Sequence, residues 1–271
     1  MSPEKYAELH CKSNYSFLTG ASHPGELIRQ ADELGYAAIA ITDLNSVAGV
    51  VQAFMESRTR SIRLIVGAEM TPIDAPPIVL WATDRKSYGQ LCRLISTGRR
   101  RAPKGECEIG IDDIANYSAG LIGGVKANAS DPIHHDFISK KLASSKSGSP
   151  NSTFNSNVSQ NVFFDFDLRT YRDIFPDRCY LLAEPTHGVN DAQHLSKLNR
   201  LSKISSIPLV AAGDVHYHTS QRKALHDVLV SIRNGTTVAE AGDELLSNAM
   251  RHLQTIERRT SVFADYPDAI T

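Results

Sequence analysis

The chain has 271 residues, of which 41% are hydrophobic and 22% are charged, enough apolar material for one large α/β domain. Its formal net charge of −1 excludes a bulk electrostatic attraction to nucleic acid, so any contact with DNA has to be local. The sequence has no apolar run of membrane-spanning length and the segment MSPEKYAE has no signal pattern, which together indicate a cytoplasmic protein.

Short apolar runs, each bounded by turn or polar residues, predict buried parallel strands. In chain order they are YAELHC, AAIAITD, RLIVGAE, PPIVLWAT, GLIGGV, NVFFDF, RCYLLAE and IPLVAAGD. Amphipathic patterns between them predict helices over residues 24–34, 85–97, 189–205 and 221–233. Repeated strand–helix units predict an α/β fold, and about eight strands favour a closed or nearly closed barrel over an open sheet.

One stretch interrupts this alternation of strands and helices. Residues 144–161, SSKSGSPNSTFNSNVSQN, are almost entirely small and polar, and they predict a disordered surface insertion. A domain linker is the alternative, but an apolar run follows, which favours an insertion within one domain. The expected organisation is a barrel domain over residues 1–242 and a C-terminal segment over residues 243–271.

Several of the predicted strands end in side chains that can bind metals. The first ends in His10, the second in Asp43 and the third in Glu69, while the last is followed by Asp214 and His216. In barrels of parallel strands, functional residues gather at the carboxyl ends of the strands. A single such residue is more often structural, but their repeated occurrence predicts a polar site at one rim.

The stretches LHCKSNYSFLTGAS, AIAITDLNSVAGV, VGAEM and GDVHY occur in the order of the motifs of the PHP (polymerase and histidinol phosphatase) domain, and the chain resembles that family. SYGQLCRLISTGRRRAPKGE and DVLVSIRNGTTVAEAG make it most similar to the N-terminal domain of error-prone, damage-induced bacterial DNA polymerase III alpha subunits of family C. The resemblance implies a distorted (β/α)7 barrel with a trinuclear metal site that hydrolyses phosphoesters, or that proofreads in some polymerase members.

The resemblance also implies partners. Family C polymerases synthesise DNA with carboxylates of a palm domain, and residues 243–271 resemble only the start of the connection towards it. The chain alone is therefore not expected to polymerise DNA. The implied partners are a polymerase core of the same family and replication or repair proteins, with DNA reached through the wider polymerase. An excised domain and a free-standing truncated product both remain open.

Carried over residue by residue, part of the family's metal site is retained. His10 matches the first histidine of the H-x-H motif, and Glu69 matches the glutamate that usually bridges two metals. Asp214 and His216 match the closing D-x-H motif, and Asn14 occupies a variable ligand position. These side chains are enough for one ion at most, zinc or manganese.

Other positions of that site have lost their ligands. Lys12 replaces the second histidine of H-x-H, Leu44 replaces the histidine after Thr-Asp, and Pro77 stands where many members have histidine. The cysteine or histidine expected after the fifth strand is not evident after GLIGGV. The resemblance therefore implies a degenerate metal site.

Lys12 also opposes a metal through its charge. At about 4 Å and an effective dielectric constant near 20, a unit charge repels a divalent ion by roughly 8 kcal/mol. We therefore expect no resident metal, and we expect the ammonium of Lys12 to pair with Glu69 or Asp214. The favoured function is a catalytically degraded structural and docking domain of an error-prone polymerase. The alternative is a metal-dependent phosphoesterase or 3′–5′ exonuclease with a reduced site.

A cluster of basic residues lies in the sequence GRRRAPKG. Its cations are Arg99, Arg100, Arg101 and Lys104. A solvated face is the simplest interpretation, and a phosphate or interdomain contact is the alternative in a polymerase.

Overall fold

A computed structural model describes residues 6–127 and 166–270 of the chain. The described part forms one seven-stranded sheet. Its strands are β1 (Ala7–Glu8), β2 (Ala38–Ile41), β3 (Arg63–Met70), β4 (Ile78–Ala82), β5 (Leu121–Val125), β6 (Cys179–Ala183) and β7 (Leu209–Ala211). The predicted insertion and most of the predicted strand NVFFDF lie outside the described residues.

Helices connect most of these strands. They are α1 (Pro24–Glu33), α2 (Val50–Ser57), α3 (Arg85–Arg101), α4 (Ile111–Asn116), α5 (Arg169–Ile174), α6 (Asp191–Ser205), α7 (Lys223–Asn234) and α8 (Ile256–Val262), with short 3₁₀ turns at Ser220–Arg222, Gly242–Glu244 and Pro267–Ala269. The four predicted helices correspond to α1, α3, α6 and α7. No helix in the described ranges has the length and apolar character needed to cross a membrane.

Local sequence explains where two of these helices begin and end. Pro24 occupies the first turn of α1, where a missing backbone N–H costs nothing, and Gly35 follows the helix with a φ of 76°. Asp84 begins α3 by accepting a hydrogen bond from the backbone N–H of Ser87 at 2.7 Å. Each helix is thus bounded by residues suited to its ends.

The strand order follows the chain order from β1 to β7, and the expected α/β architecture is confirmed as a curled, barrel-like sheet. The expectation that every strand is parallel is wrong at β4, which is antiparallel to both β3 and β5. Only residues 71–77 join β3 to β4, whereas a parallel crossover needs a dozen or more residues. The start of β4 therefore lies at the rim where the parallel strands end.

The curl of the sheet brings its two edge strands together. Beyond β1 and β7, Val215 donates a backbone hydrogen bond to His10 (2.9 Å) and accepts one from Lys12 (2.8 Å). Trp81 of β4 reaches across the interior and donates from Nε1 to the carbonyl of Leu9 at 2.8 Å. A Cβ on Gly124 would lie 2.3 Å from the Trp81 ring, so this glycine makes room for the indole. The interior is therefore a packed core.

The C-terminal segment packs against the first strand. Arg259 of α8 is 1% exposed, and its guanidinium lies 3.4 Å from the buried carboxylate of Glu8. Glu8 also accepts hydrogen bonds from the hydroxyl of Tyr6 at 3.0 Å and from the backbone N–H of Gly213 at 2.7 Å. Residues near both ends of the chain thus share one buried ion pair.

Gly213→Ala tests how tightly this ion pair is enclosed. The added Cβ would lie 2.2 Å from Nη2 of Arg259 and 2.5 Å from Oε2 of Glu8, so we expect unfolding free energy to fall by about 1–3 kcal/mol. Urea unfolding followed by circular dichroism measures the change.

The matched control is Gly89→Ala in α3, where a Cβ meets nothing within 4 Å. Alanine favours a helix over glycine, so this variant should gain about 0.5–1 kcal/mol. Equal stability of the two variants would contradict the packing described around Gly213.

Candidate functional site

Four side chains from three separate parts of the chain meet at the rim formed by the ends of β1, β3 and β7. His10 and Lys12 follow β1, Glu69 lies within β3, and Asp214 follows β7. All four are at most 1% exposed. Asp214 has a φ of 43°, a left-handed conformation that is uncommon outside glycine. The fold therefore gathers three of the predicted strand-end residues, His10, Glu69 and Asp214, into one buried cluster with Lys12.

Three of these residues have the side-chain chemistry of metal ligands. His10, Glu69 and Asp214 each offer a ligand atom, and the three atoms lie within 4.8 Å of one another. A nitrogen of His10, Nε2, is 2.9 Å from Oε2 of Glu69, and its Nδ1 is 3.5 Å from Oδ1 of Asp214. Taken alone, this triad could hold a metal ion.

The ammonium of Lys12 lies among the same ligand atoms. Its Nζ is 2.9 Å from Oε2 of Glu69, and it also forms a hydrogen-bonded ion pair with Oδ1 of Asp214. A single ammonium thus lies between two buried carboxylates. Such an arrangement reduces the repulsion between the carboxylates in the way that a metal would.

A second lysine, Lys126, lies directly after β5 and joins the cluster. Its Nζ is 3.3 Å from Oδ2 of Asp214, 3.5 Å from Oε1 of Glu69 and 3.7 Å from Oε2 of Glu184. Lys126 is 4% exposed. A lysine therefore stands where the resemblance had implied a cysteine or histidine after the fifth strand.

The cluster is completed by Glu184, after β6, and by Arg251 of the C-terminal segment. Oε1 of Glu184 lies 2.5 Å from Nδ1 of His10, and Nη1 of Arg251 lies 2.7 Å from Oδ2 of Asp214. Two lysines, one arginine and His10 thus face the carboxylates of Glu69, Glu184 and Asp214. The negative charge of these carboxylates is therefore balanced by side chains of the protein.

Electrostatics explain the ionisation of these acids. Burial alone would raise the pKa of Asp214, but the charges of Lys12, Lys126 and Arg251 outweigh burial and hold this pKa well below its usual range. Burial likewise opposes ionisation of Glu184, whose pKa is nevertheless lowered by Lys126 and His10. Both carboxylates are therefore held in their ionised forms.

The histidines of the cluster differ from one another. Burial lowers the pKa of His10. The negative charges of Glu184, Asp214 and Glu69 raise this pKa by a larger amount, so the net shift is upward. Burial lowers the pKa of His216 to about 4, so its ring is neutral near pH 7. His216 lies 3.3 Å from Asp214 through Nε2 and 3.1 Å from Nε2 of His226 through Nδ1. His216 therefore belongs to the outer part of the cluster.

These residues do not fit the metal cluster that the family resemblance implies. A histidine ligand must offer a free lone pair, whereas both ring nitrogens of His10 contact carboxylates, the arrangement of a protonated imidazolium. Lys12 and Lys126 place two further cations among the carboxylates. Each would repel a divalent ion, and no reaction step through a metal follows from this geometry.

The remaining predicted site residues lie at the rim without offering ligands to the cluster. The carboxylate of Asp43 accepts hydrogen bonds from Ser13 and Ser16, and burial raises its pKa. Leu44 pairs through its backbone with Glu69 and has no ligand atom in its side chain. The carbonyl of Pro77 accepts a hydrogen bond from the backbone N–H of Lys126 at 2.9 Å.

Asn14 is directed towards a different partner. Its Nδ2 lies 3.0 Å from Nδ1 of His23, in a contact near solvent. Asn14, which the resemblance places at a variable ligand position, is not one of the three residues of the buried triad.

The basic cluster at the end of α3 is divided between internal contacts and solvent. Arg99 donates to the carbonyls of Asn45 and Gly105 at 3.0 Å each, and Arg101 makes a bidentate ion pair with Asp113. Arg100 and Lys104 are exposed. A phosphate contact at these positions stays a prediction, since two of the four side chains already have protein partners.

Sequence reasoning overlooked Lys126, Glu184 and Arg251. The first two stand at the ends of GLIGGV and RCYLLAE, so the strand-end rule applied to every run would have found them. Arg251 follows no strand, and no periodicity in the sequence marks it. A cavity of about 350 Å³ beside the cluster is lined by all three residues.

Comparison with known proteins gives a consistent family match. A family model described as "PHP domain" matches residues 8–144. The error-prone DNA polymerase of Rhodopirellula baltica is 42% identical over 98% of this chain, and that of Pseudomonas fluorescens is 37% identical over 98%. In each case this chain spans only 22% of the relative's length.

Structural similarity is more distant. A candidate metal-dependent phosphoesterase from Bifidobacterium adolescentis aligns with a TM-score of 0.47 and 14% identity, covering 79% of this chain and 88% of that one. At this level the match carries no information about activity.

Lys12→Met tests whether the ion cluster depends on its central cation. The substitution leaves Glu69 and Asp214 buried with one fewer positive partner, so we expect unfolding free energy to fall by about 3–5 kcal/mol. Urea unfolding at neutral pH measures this loss.

Lys223→Met is the matched control, because Lys223 forms a partly exposed helical ion pair with Asp227 at 2.6 Å. Such a pair contributes only about 0.3–0.5 kcal/mol. If both lysine variants lost the same small amount, the ammonium of Lys12 would not be essential to the cluster.

Proposed function

Because the chain belongs to the PHP domain family, we propose that it serves as a structural and docking domain of an error-prone DNA polymerase, with buried ion pairs in place of catalytic metals. The family assignment supplies the fold and its usual site. The composition of the site in this chain supports a docking function over a hydrolytic one.

The observation that carries the proposal is the ammonium of Lys12 between Glu69 and Asp214. Hydrolysis of phosphoesters by two metals needs cations about 3.5–4 Å apart that bind the phosphate and generate hydroxide. A lysine ammonium balances carboxylate charge but has no site at which water can be coordinated and deprotonated. The cluster thus retains the structural effect of a metal without its chemistry.

The length of the relatives supports a function within a larger protein. This chain corresponds to 22% of the length of the error-prone polymerases of Rhodopirellula baltica and Pseudomonas fluorescens, so DNA synthesis would depend on the remaining part. The proposed partners are therefore that polymerase core and, through it, DNA and repair proteins. A cytoplasmic location belongs to the same proposal.

A second function is favoured by one specific observation. The ligand atoms of His10, Glu69 and Asp214 lie within 4.8 Å of one another, close enough for one divalent ion such as zinc or manganese. If an ion displaced the ammonium of Lys12, the domain would be a phosphoesterase or 3′–5′ exonuclease with a reduced site. The two functions differ in whether the unaltered chain binds metal tightly.

Calorimetric titration of manganese and zinc distinguishes them. We expect the wild-type chain to bind neither ion tightly, and Lys12→His combined with Leu44→His to bind at least about tenfold more tightly, which corresponds to about 1.4 kcal/mol. The double change removes one opposing cation and adds two imidazole ligands at the rim.

Lys12→Gln combined with Leu44→Gln is the control, since it removes the same charge without adding imidazoles. Its metal affinity should stay below that of the histidine variant. Tight binding of one or more ions by the wild type, together with hydrolysis of a phosphodiester, would replace the docking function with the enzymatic one.

A further inference from the structure

Helix α3 differs from the other helices in its charge. Its 17 residues, RKSYGQLCRLISTGRRR, include six arginine or lysine side chains and no aspartate or glutamate. Each of the other α-helices in the described ranges, 6–127 and 166–270, contains at least one acidic residue. In a chain whose formal net charge is −1, positive charge is therefore concentrated at this one helix. A local contact with a polyanion is expected at such a place.

Four of these cations share the solvent side of α3. Arg85, Arg93 and Arg100 recur at intervals of eight and seven residues, about two helical turns each, and Lys86 adjoins Arg85. All four side chains are exposed, whereas Leu91 is buried on the opposite side of the helix. The four cations extend over about 22 Å of helix axis. We name this surface the α3 basic face.

The α3 basic face is free of internal partners. Arg101 of the same helix pairs with Asp113, and Arg99 donates to backbone carbonyls, so these two cations fix the end of the helix. None of the four cations of the basic face takes part in an ion pair with another described residue. A Cβ on Gly98 would lie 2.6 Å from Sγ of Cys107, so the helix packs closely on the core. The basic face is therefore held in place and open to an external anion.

The side chains of this surface are suited to nucleic acid. Three of the four cations are arginines, whose planar guanidinium donates two parallel hydrogen bonds to phosphate oxygens. Tyr88, one turn from Arg85 along the helix, is 36% exposed and offers a ring on which an unpaired base can stack. A row of cations beside an exposed aromatic ring is the combination with which proteins bind single strands.

The same side of α3 lacks the chemistry of a protein or lipid contact. A protein interface has an apolar centre within a polar rim, and a helix at a membrane surface inserts several apolar side chains. Among the large hydrophobic side chains that are exposed in the described residues, only Tyr88 comes from α3. Phosphate groups are therefore a better match than an acidic protein or a lipid headgroup layer.

We infer that the α3 basic face binds the phosphates of single-stranded DNA directly, with a base stacked on Tyr88. The inference goes beyond the proposed docking function, in which DNA is reached through the polymerase core. It rests on that proposal only in the choice of DNA over RNA.

Fluorescence anisotropy with a labelled oligodeoxythymidine of about 20 nucleotides tests the inference. A plot of the logarithm of the association constant against the logarithm of salt concentration should have a slope of about −3, since each of four neutralised phosphates contributes about 0.7. Arg93→Gln combined with Arg100→Gln should reduce the magnitude of this slope by about 1.4 and weaken binding several-fold. All titrations contain EDTA, so a metal ion at the rim makes no contribution.

Lys197→Gln combined with Arg200→Gln in α6 is the matched control, because these two side chains are also exposed cations of a long helix. This variant should keep the affinity and the salt dependence of the wild type. An equal loss in the two double variants would overturn the assignment to α3, as would an unchanged slope in the α3 variant.

Tyr88→Leu tests the stacking contact without changing charge. It should weaken binding of the single strand by at least about fivefold and leave binding of a duplex of the same length unchanged. Wild-type binding that is as tight for the duplex as for the single strand would overturn the assignment to single strands.

Further probes separate the remaining partners. Tighter binding of an RNA oligomer of the same length would overturn the choice of DNA, and displacement by polyglutamate as effective as by unlabelled oligodeoxythymidine would assign the surface to an acidic protein. Binding that appears only when manganese replaces EDTA, and that the α3 variants leave unchanged, would overturn both this inference and the proposed metal-free site. Loss of the proposed function alone would leave the salt dependence in EDTA unaltered.

Discussion

The ion cluster around Asp214 is the interaction on which the rest of the structure depends. Through this one carboxylate, Lys12 after β1 and Lys126 after β5 are joined to Arg251 of the C-terminal segment. Removing such charges from water is costly, and their mutual attraction offsets that cost only when each has close partners. The curled sheet provides these partners because consecutive strands deliver their ends to one rim.

A metal cluster and this ion cluster satisfy the same structural requirement by different means. Carboxylates brought together at a rim need positive charge between them, and either a divalent ion or an ammonium can supply it. The ammonium of a lysine is covalently attached to the chain and cannot dissociate from it. It therefore stabilises the fold whatever the concentration of metal ions. The frame of such a site can therefore persist without a metal.

Much of this arrangement follows from the sequence, because the ends of buried strands must meet. His10, Glu69 and Asp214 were found in this way, and Lys126 and Glu184 obey the same rule. The reversal of β4 depends on the short connection before it, which periodicity alone does not reveal. Arg251 lies on no regular strand or helix, so its position is decided by tertiary packing that a local pattern does not encode.

The wide spacing of the cluster along the chain has a consequence for biosynthesis. Lys12 is made first, while Asp214 and Arg251 are made about 200 and 240 residues later. At about 5–20 residues per second, the ribosome needs on the order of ten to fifty seconds to travel from Lys12 to Arg251. During that interval Lys12 and Glu69 have no Asp214 to join. The barrel can close only after Arg251, the last counter-charge of the cluster along the sequence, has left the exit tunnel.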